Sequence, residues 1–408
     1  MFKVKENLIY VLALFPIFNF TLVNISILFF VIGSGFLYLK KHSTFKWPNK
    51  SLVYGILILS LPFLLNVISM VWTQNIRSGG SFIERTLPFL ILPLVTVYCQ
   101  PFLSKESIHK FIRIYIISNV ILASVVLVYT LIGGLYYTNL ENRMKSFGKY
   151  FRGTVESIPI VGEHPIYLSL LIGSALIFLF YVRFRKFWAN VVVICLFLIV
   201  LALSGSRGPS AALLISIFTL ISLERMSVKI KILAFSVFFV LAILGMLISP
   251  IKNRMMELVN TKHIYPQGDY YNSFNTRMGI YKCSFKVGNN VPWYGLGPGD
   301  VQDSLNLCYE TNYVTNAYKE GIFNTHSQYL FYWLGFGSVG LILIIGTYIL
   351  FLRQAFLVKD KVYIVFLVYM LLCLLFENIL SRNTGIMLFV IFNTMFFYKS
   401  FFLKKMIK

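Results

Sequence analysis

The sequence predicts an all-α polytopic membrane protein, and three observations carry that prediction. Apolar runs of roughly 17–25 residues recur along the chain, the length a helix needs to cross a bilayer. Apolar residues fill 58% of the 408 positions and charged residues only 13%, with a mean hydropathy of +0.75, which leaves too little polar surface for a soluble protein. The basic residues flank the apolar runs instead of forming a stripe with stacking aromatics. The net charge of +22 therefore follows the positive-inside rule and argues against a nucleic-acid partner.

About twelve spans are expected, near residues 8–20, 22–39, 51–72, 85–99, 109–132, 160–181, 187–203, 209–222, 230–249, 327–352, 362–377 and 384–402. The first two are short and read as a tilted or partly interfacial hairpin. No small-residue cleavage site separates them, so no cleavable signal peptide is expected. With Lys3 and Lys5 inside, every inner loop is basic: Lys40 and Lys46, Lys105 and Arg113, Arg183 and Lys186, Arg225 and Lys229, Arg353 and Lys361. Both termini are then cytoplasmic. The chain reads as one transmembrane helical domain, 1–408, with 250–325 inserted between the ninth and tenth spans as an extracytoplasmic loop subdomain. That loop carries "YPQGDYYNSFNTRMGIYKCSFK" and "WYGLGPGDVQD". Its aromatics on a polar background suggest a folded cap with short helices, and aromatic faces suit sugar rings. Cys283 and Cys308 both fall in it, where they either form a disulfide or stay as two thiols. Cys99, Cys195 and Cys373 lie in or at the ends of spans and read as packing residues.

In this topology eight arginines fall on the outer side, where positive charge is normally scarce: Arg77, Arg85, Arg143, Arg152, Arg207, Arg254, Arg277 and Arg382. His326 joins them. Such a cluster fits a diphosphate-bearing substrate. Arg207 lies in "LALSGSRGPSAALL", where Gly205 and Gly208 permit a sharp turn and Pro209 suits the first helical position. An arginine beside free amides at a helix start makes an anion site; the alternative is an arginine reaching to lipid headgroups. Arg277 in "NTRMGIYKCSF" and Arg254 read by default as solvated or headgroup-facing residues.

His326 lies in "NTHSQYLFYWLGFGSVGLILI". Asn324 or Thr325 can cap the following helix, which puts His326 in its first turn, where the dipole disfavours a second positive charge. A neutral imidazole there accepts a proton from a hydroxyl; the plainer account is an interfacial histidine that only hydrogen-bonds. Glu377 and Arg382 in "FENILSRNTG" either pair with each other or line a cleft. Glu84 and Arg85 mark the start of the fourth span. Glu163 and His164 in "VGEHPIYLSLL" either contact a sugar or cap the sixth span. No His, Asp and Glu spacing suggests a metal site, and no Ser-His-Asp or phosphate-loop motif is present.

Three of these segments together resemble the bacterial O-antigen ligase and O-antigen polymerase superfamily. "SGSRGPSAALL" is similar to its Ser-Arg-Gly turn, and "TRMGIYKCSFKVGNNVPWYGLGPGD" to its arginine-led loop ending in a Gly-x-Gly element. "THSQYLFYWLGFGSVGLI" is similar to its histidine-led helix, with Ser327 where the family usually has Asn. The resemblance implies a GT-C-like membrane glycosyltransferase of the bacterial inner membrane, with its active site on the periplasmic side. It implies an undecaprenyl-diphosphate-linked glycan donor, inversion at the anomeric carbon, and no metal or other cofactor. Carried over motif by motif, it makes His326 the base for the acceptor hydroxyl and Arg207 and Arg277 the diphosphate-binding residues. Arg85, Arg382, Glu377 and His164 are additional candidates for the cleft. A ligase acting on a lipid A–core acceptor is the preferred expectation. A polymerase joining lipid-linked repeat units is the closest rival, and a lipid-linked oligosaccharide flippase is a third class. A flippase should carry ionisable residues near the midplane and often two similar halves, which this sequence does not display.

Overall fold

The structure, a computed structural model, describes residues 8–41, 50–98, 104–137, 150–158, 163–233, 236, 256, 259–319 and 321–407. Arg143, Arg254, Cys99 and most of the expected 230–249 span lie outside them. Among the described residues every regular element is helical, apart from two isolated bridges, Gln267–Tyr270 and Gly268–Thr315. The helices are α1 (Phe20–Lys41), α2 (Lys50–Leu59), α3 (Leu61–Ser69), α4 (Ile76–Thr86), α5 (Pro88–Tyr98), α6 (Lys105–Tyr137), α7 (Pro165–Tyr181), α8 (Phe187–Ser204) and α9 (Arg207–Leu223). They continue with α10 (Ser273–Gly288), α11 (Val301–Asn312), α12 (Gln328–Leu357), α13 (Lys361–Phe376) and α14 (Asn383–Ile407).

Five helical stretches among the described residues are long and apolar enough to cross a membrane, or six if the bent pair α2–α3 counts as one. That is fewer than the twelve expected from apolar runs. The difference lies partly in α7, α9 and α13, each 16 or 17 residues, about 25 Å at 1.5 Å per residue against a hydrocarbon core of about 30 Å. Two of them, α7 and α13, are central. Almost every residue of α7 is buried, and α13 is buried over most of its length, so both are apolar all round. Phe178, Phe366, Phe392 and Phe396 meet at their centre, with Phe178 and Phe392 ring centroids 4.4 Å apart. On α1 and α8, by contrast, Ile32, Phe36, Leu198 and Ile199 point outward. Cys373 is buried as expected of a packing residue, whereas Cys195 faces outward from α8.

The 259–326 segment is tied to the bundle by its glycine-rich turn. At Gly337 the backbone of α12 leaves helical geometry (φ +67°), which frees carbonyls in the preceding turn. The Leu296 and Gly297 amides donate to the Leu334 and Gly335 carbonyls, both at 2.9 Å. A side chain on Gly337 would run into the Trp293 carbonyl, so this approach needs glycine on both counts. Asp300 then accepts from the Gln74 and Asn75 amides at 2.8 and 2.7 Å, fastening the start of α11 to the turn before α4.

Cys283 and Cys308 form a disulfide joining α10 to α11, 25 residues apart in sequence. Closing a loop of that size restricts the unfolded chain by roughly 3 kcal/mol. Replacing both cysteines by serine is therefore expected to destabilise the α10–α11 segment by about 2–4 kcal/mol. Thermal unfolding with and without reductant measures this, and equal midpoints in the wild type would contradict it. The aromatics of this segment divide into an outer set, with Trp293, Phe285, Tyr270 and Tyr294 exposed, and an inner set. Tyr309 is buried and stacks on Tyr318 at 4.4 Å, with Tyr313 and Phe323 against Tyr318. They are the segment's own core, which a short inserted subdomain needs before it can hold a shape.

Candidate functional site

Four elements bring four sequence-picked residues towards one place. Arg207 opens α9. It is the first helical residue, with Ser206 as N-cap and Gly205 before it in the left-handed region at φ +57°. Pro209 thus sits in the first turn, not at its first position, and is tolerated there because its missing N–H has no helical partner to lose. Gly208 serves packing more than turning: a Cβ there would press on Phe376, the last residue of α13. Arg277 belongs to α10 and not to an open loop. Asn272 and Asn275 start that helix with reciprocal side-chain-to-backbone bonds, a capping box. The Arg207 guanidinium donates to Ser273 Oγ at 3.4 Å. Ser273 and Arg277 are four residues apart and so share one face of α10. Both arginines therefore bear on the same side of that helix.

His326 is not in the first turn of α12. That helix starts at Gln328 with Ser327 as N-cap, so His326 precedes the cap. Its backbone is left-handed at φ +44°, uncommon for a residue with a side chain. Asn324 holds it there by accepting from the His326 amide at 2.9 Å, and Tyr281 reaches the His326 carbonyl at 3.4 Å. The orientation of the ring comes from Glu377. His326 Nδ1 lies 2.9 Å from Glu377 Oε2, and Arg277 Nη2 lies 3.7 Å from the same oxygen. Glu377 Oε1 accepts from the Asn378 amide at 3.2 Å, so both oxygens are engaged. The expected alternative, a Glu377–Arg382 pair, is not what forms. The two side chains leave opposite ends of a short turn, and Arg382 lies over the Tyr167 ring at 5.6 Å.

Burial alone would push the Glu377 carboxyl up. The hydrogen bond and charge of His326, with Arg277 and the Asn378 amide, outweigh that and hold it below its ordinary value. The sign for stability follows: Glu377 stabilises the fold above the ordinary carboxylate range, and that contribution is lost as pH falls through its depressed value. An ionised carboxylate only accepts hydrogen bonds, so Nδ1 carries the proton towards Glu377 and Nε2 is the ring nitrogen left for another partner. The segment before α12 is stitched to the turn after α13. Thr325 donates to Asn378 Oδ1 at 2.9 Å, and the Leu380 amide donates to Gln328 Oε1 at 2.8 Å. These ties fix the imidazole and its carboxylate relative to each other.

The other candidates lie elsewhere. Arg85 is in the last turn of α4, within the continuous 76–97 span candidate and not at a span entrance, and it sits over Phe82 at 5.6 Å. Arg85 and Arg382 line a separate cavity that neither Arg207 nor Arg277 reaches. His164 caps α7, its Nδ1 accepting from the Ile166 amide at 3.3 Å, while Nε2 lies 3.5 Å from Glu156. Capping is thus its observed role. Glu163 accepts from the Thr384 hydroxyl. Arg152 donates to the Ser204 carbonyl at the end of α8, and Arg77 is exposed on α4. Asp300 and Tyr281 were not picked from the sequence, and Asn324, expected as a helix cap, instead holds the His326 amide while Ser327 is the N-cap. Asp300 was legible as the end of the glycine-rich element, but its partners lie about 225 residues earlier.

Residues 191–345 match the family model described as O-antigen ligase. The match spans Arg207, Arg277 and His326 and supports the resemblance to the O-antigen ligase and polymerase superfamily. No curated protein matches the chain. The apolar helices and this match together point to a multi-pass membrane protein.

Proposed function

We propose that the chain is an O-antigen ligase-like glycosyltransferase of the bacterial cytoplasmic membrane, acting on its extracytoplasmic face. In this reading it moves a polysaccharide from undecaprenyl diphosphate to a lipid A–core acceptor by inverting, metal-independent transfer. The observation that carries it is the convergence of an oriented imidazole, its carboxylate and two arginines: His326, Glu377, Arg277 and Arg207.

His326 Nε2 takes the acceptor hydroxyl proton as the oxygen bonds to the anomeric carbon. Glu377 stabilises the imidazolium that results. The carbon–oxygen bond to the lipid diphosphate breaks on the opposite side of the sugar, and its electron pair leaves with the diphosphate. Arg207 and Arg277 receive that charge in forked contacts. Arg277 can also reach the diphosphate because its 3.7 Å ion pair with Glu377 is looser than a tight guanidinium–carboxylate contact of about 2.8 Å. The proton later passes from His326 to water.

Glu377→Gln keeps the shape and removes the charge. It is expected to lower turnover by about 10²–10⁴-fold, by analogy with other carboxylate–imidazole pairs. Glu377→Asp, which keeps the charge, should recover part of the loss. Turnover as low in Glu377→Asp as in Glu377→Gln, or unchanged in Glu377→Gln, would contradict the charge role. The function itself is tested by deleting the gene in its host and separating the surface glycolipids on a gel. Bare core lipid with long polymer stranded on its carrier means a ligase. Core bearing a single repeat unit means a polymerase, the second member of the same superfamily. An unchanged ladder would overturn both.

A further inference from the structure

A second cavity, of about 480 Å³, opens beside the turn that carries Glu377, and the transfer chemistry above does not use it. Its volume falls in the range of small-ligand sites, about 300–1,000 Å³. Two guanidinium groups from distant parts of the chain line it, Arg85 from the end of α4 and Arg382 from the residue before α14. Asn383 and Thr384, the first residues of α14, open on the same space at the helix's positive end. Glu163 also lines it, accepts from Thr384 and faces Arg382. Burial pushes the Glu163 carboxyl up, so it is a weaker counter-charge than a free carboxylate and can serve as a hydrogen-bonding group. Asn19 and Ser381 add two more polar groups, and Phe15, Phe18, Val23 and Met387 supply the apolar part of the lining.

A space lined by two arginines and four apolar side chains fits an amphiphile whose head is anionic. We propose that this cavity holds the phosphate-bearing head of the acceptor lipid, with the first part of its chain against Phe15, Phe18, Val23 and Met387. The proposal rests on the transferase reading for the word acceptor; the anionic-lipid site stands on the lining alone. Position distinguishes the acceptor from the donor. Neither Arg207 nor Arg277 lines the cavity, whereas the 377–382 turn borders it, with Glu377 against His326 at one end and Arg382 at the other. Tyr167 links the two sides, its hydroxyl donating to the Asn378 carbonyl at 3.2 Å and its ring lying under Arg382. An anion held at Arg382 therefore anchors a lipid beside the base and apart from the leaving group.

The test uses the full chain purified in detergent and a diazirine-bearing phosphatidic acid as probe, with the matching diacylglycerol and inorganic phosphate as competitors. Phosphatidic acid is expected to bind and to label the Phe15–Val23 stretch or Met387. Arg85→Gln and Arg382→Gln should each weaken its binding tenfold or more, and Arg382→Lys less. Both arginines are exposed, so an unchanged unfolding midpoint is expected to accompany the loss. A prenyl diphosphate should bind these variants as it binds the wild type. In a transfer assay Arg382→Gln should raise the acceptor KM tenfold or more while the donor KM holds. Wild-type phosphatidic acid binding in both Gln variants overturns the proposal, as does labelling confined to other helices. Equal competition by inorganic phosphate overturns the lipid assignment, and loss of prenyl diphosphate binding makes the cavity a donor site. If the wild type transfers no glycan, the functional reading fails while the binding arm still decides the cavity.

Discussion

His326→Ala is expected to abolish glycan transfer, by about 10³-fold or more, while leaving donor binding intact. A positioned general base contributes typically about 10²–10⁴-fold. The contact with Glu377 gives His326 a defined tautomer, which makes the upper part of that range the relevant one. The variant should still fold. His326 precedes α12 and is not within it, and Glu377 keeps Arg277 and the Asn378 amide as partners. The left-handed backbone at φ +44° does add strain for alanine. His326→Asn removes that objection, because asparagine tolerates this conformation yet cannot act as a base near neutral pH. Both variants should be inactive and bind the lipid-diphosphate donor as the wild type does. Normal turnover in either, once correctly inserted, would end the general-base assignment.

Arg207→Lys is expected to be the second severe loss. Lysine keeps the charge but offers one point of contact where the guanidinium offers a fork. A hydrogen bond to a charged group is worth about 1.5–3 kcal/mol, which corresponds to roughly 10–100-fold in donor affinity. The loss should appear in donor KM and in turnover together, because the diphosphate gains charge as it leaves. Arg207 also reaches Ser273 at the start of α10, so its replacement loosens the alignment with Arg277. Unchanged donor affinity in this variant would remove Arg207 from the diphosphate site.

These residues differ in how far the sequence alone could reveal them. Arg207 and His326 announce themselves because each is a lone charged or titratable group at the end of an apolar run. The partner that orients His326 does not. Glu377 is 51 residues away, at the end of another helix, and no periodicity along the chain encodes that contact. Position errors of one or two residues mattered as well. Placing His326 in the first turn of α12 made the helix dipole its controlling influence, whereas one step before the cap the controlling group is a carboxylate. Arg277 looked like a loop residue, although Asn272 and Asn275 around "NSFN" were a readable helix start. Which tyrosines of the inserted segment pack inward was not legible, for a general reason. An aromatic-rich stretch reads the same whether its rings face a sugar or each other, and only packing separates the two.

Among the described residues five or six stretches are long and apolar enough to cross, against about twelve expected spans. The apolar runs at α7 and α13 form helices of 16–17 residues enclosed by other helices, shorter than a bilayer crossing needs on its own. Arg85 and Arg382 were legible as outer arginines yet not as neighbours, since α4 and the start of α14 meet only through the fold.

The central claim is that this chain breaks a lipid-diphosphate–glycan bond with its own side chains. The most direct measurement reconstitutes the purified protein in liposomes with a lipid-diphosphate-linked glycan and an acceptor glycolipid, and counts the lipid diphosphate released. One diphosphate released per glycan joined to acceptor, lost in His326→Ala, is the predicted result. Movement of the intact lipid-linked glycan across the bilayer without diphosphate release, unaffected by His326→Ala, would contradict it and make the protein a transporter.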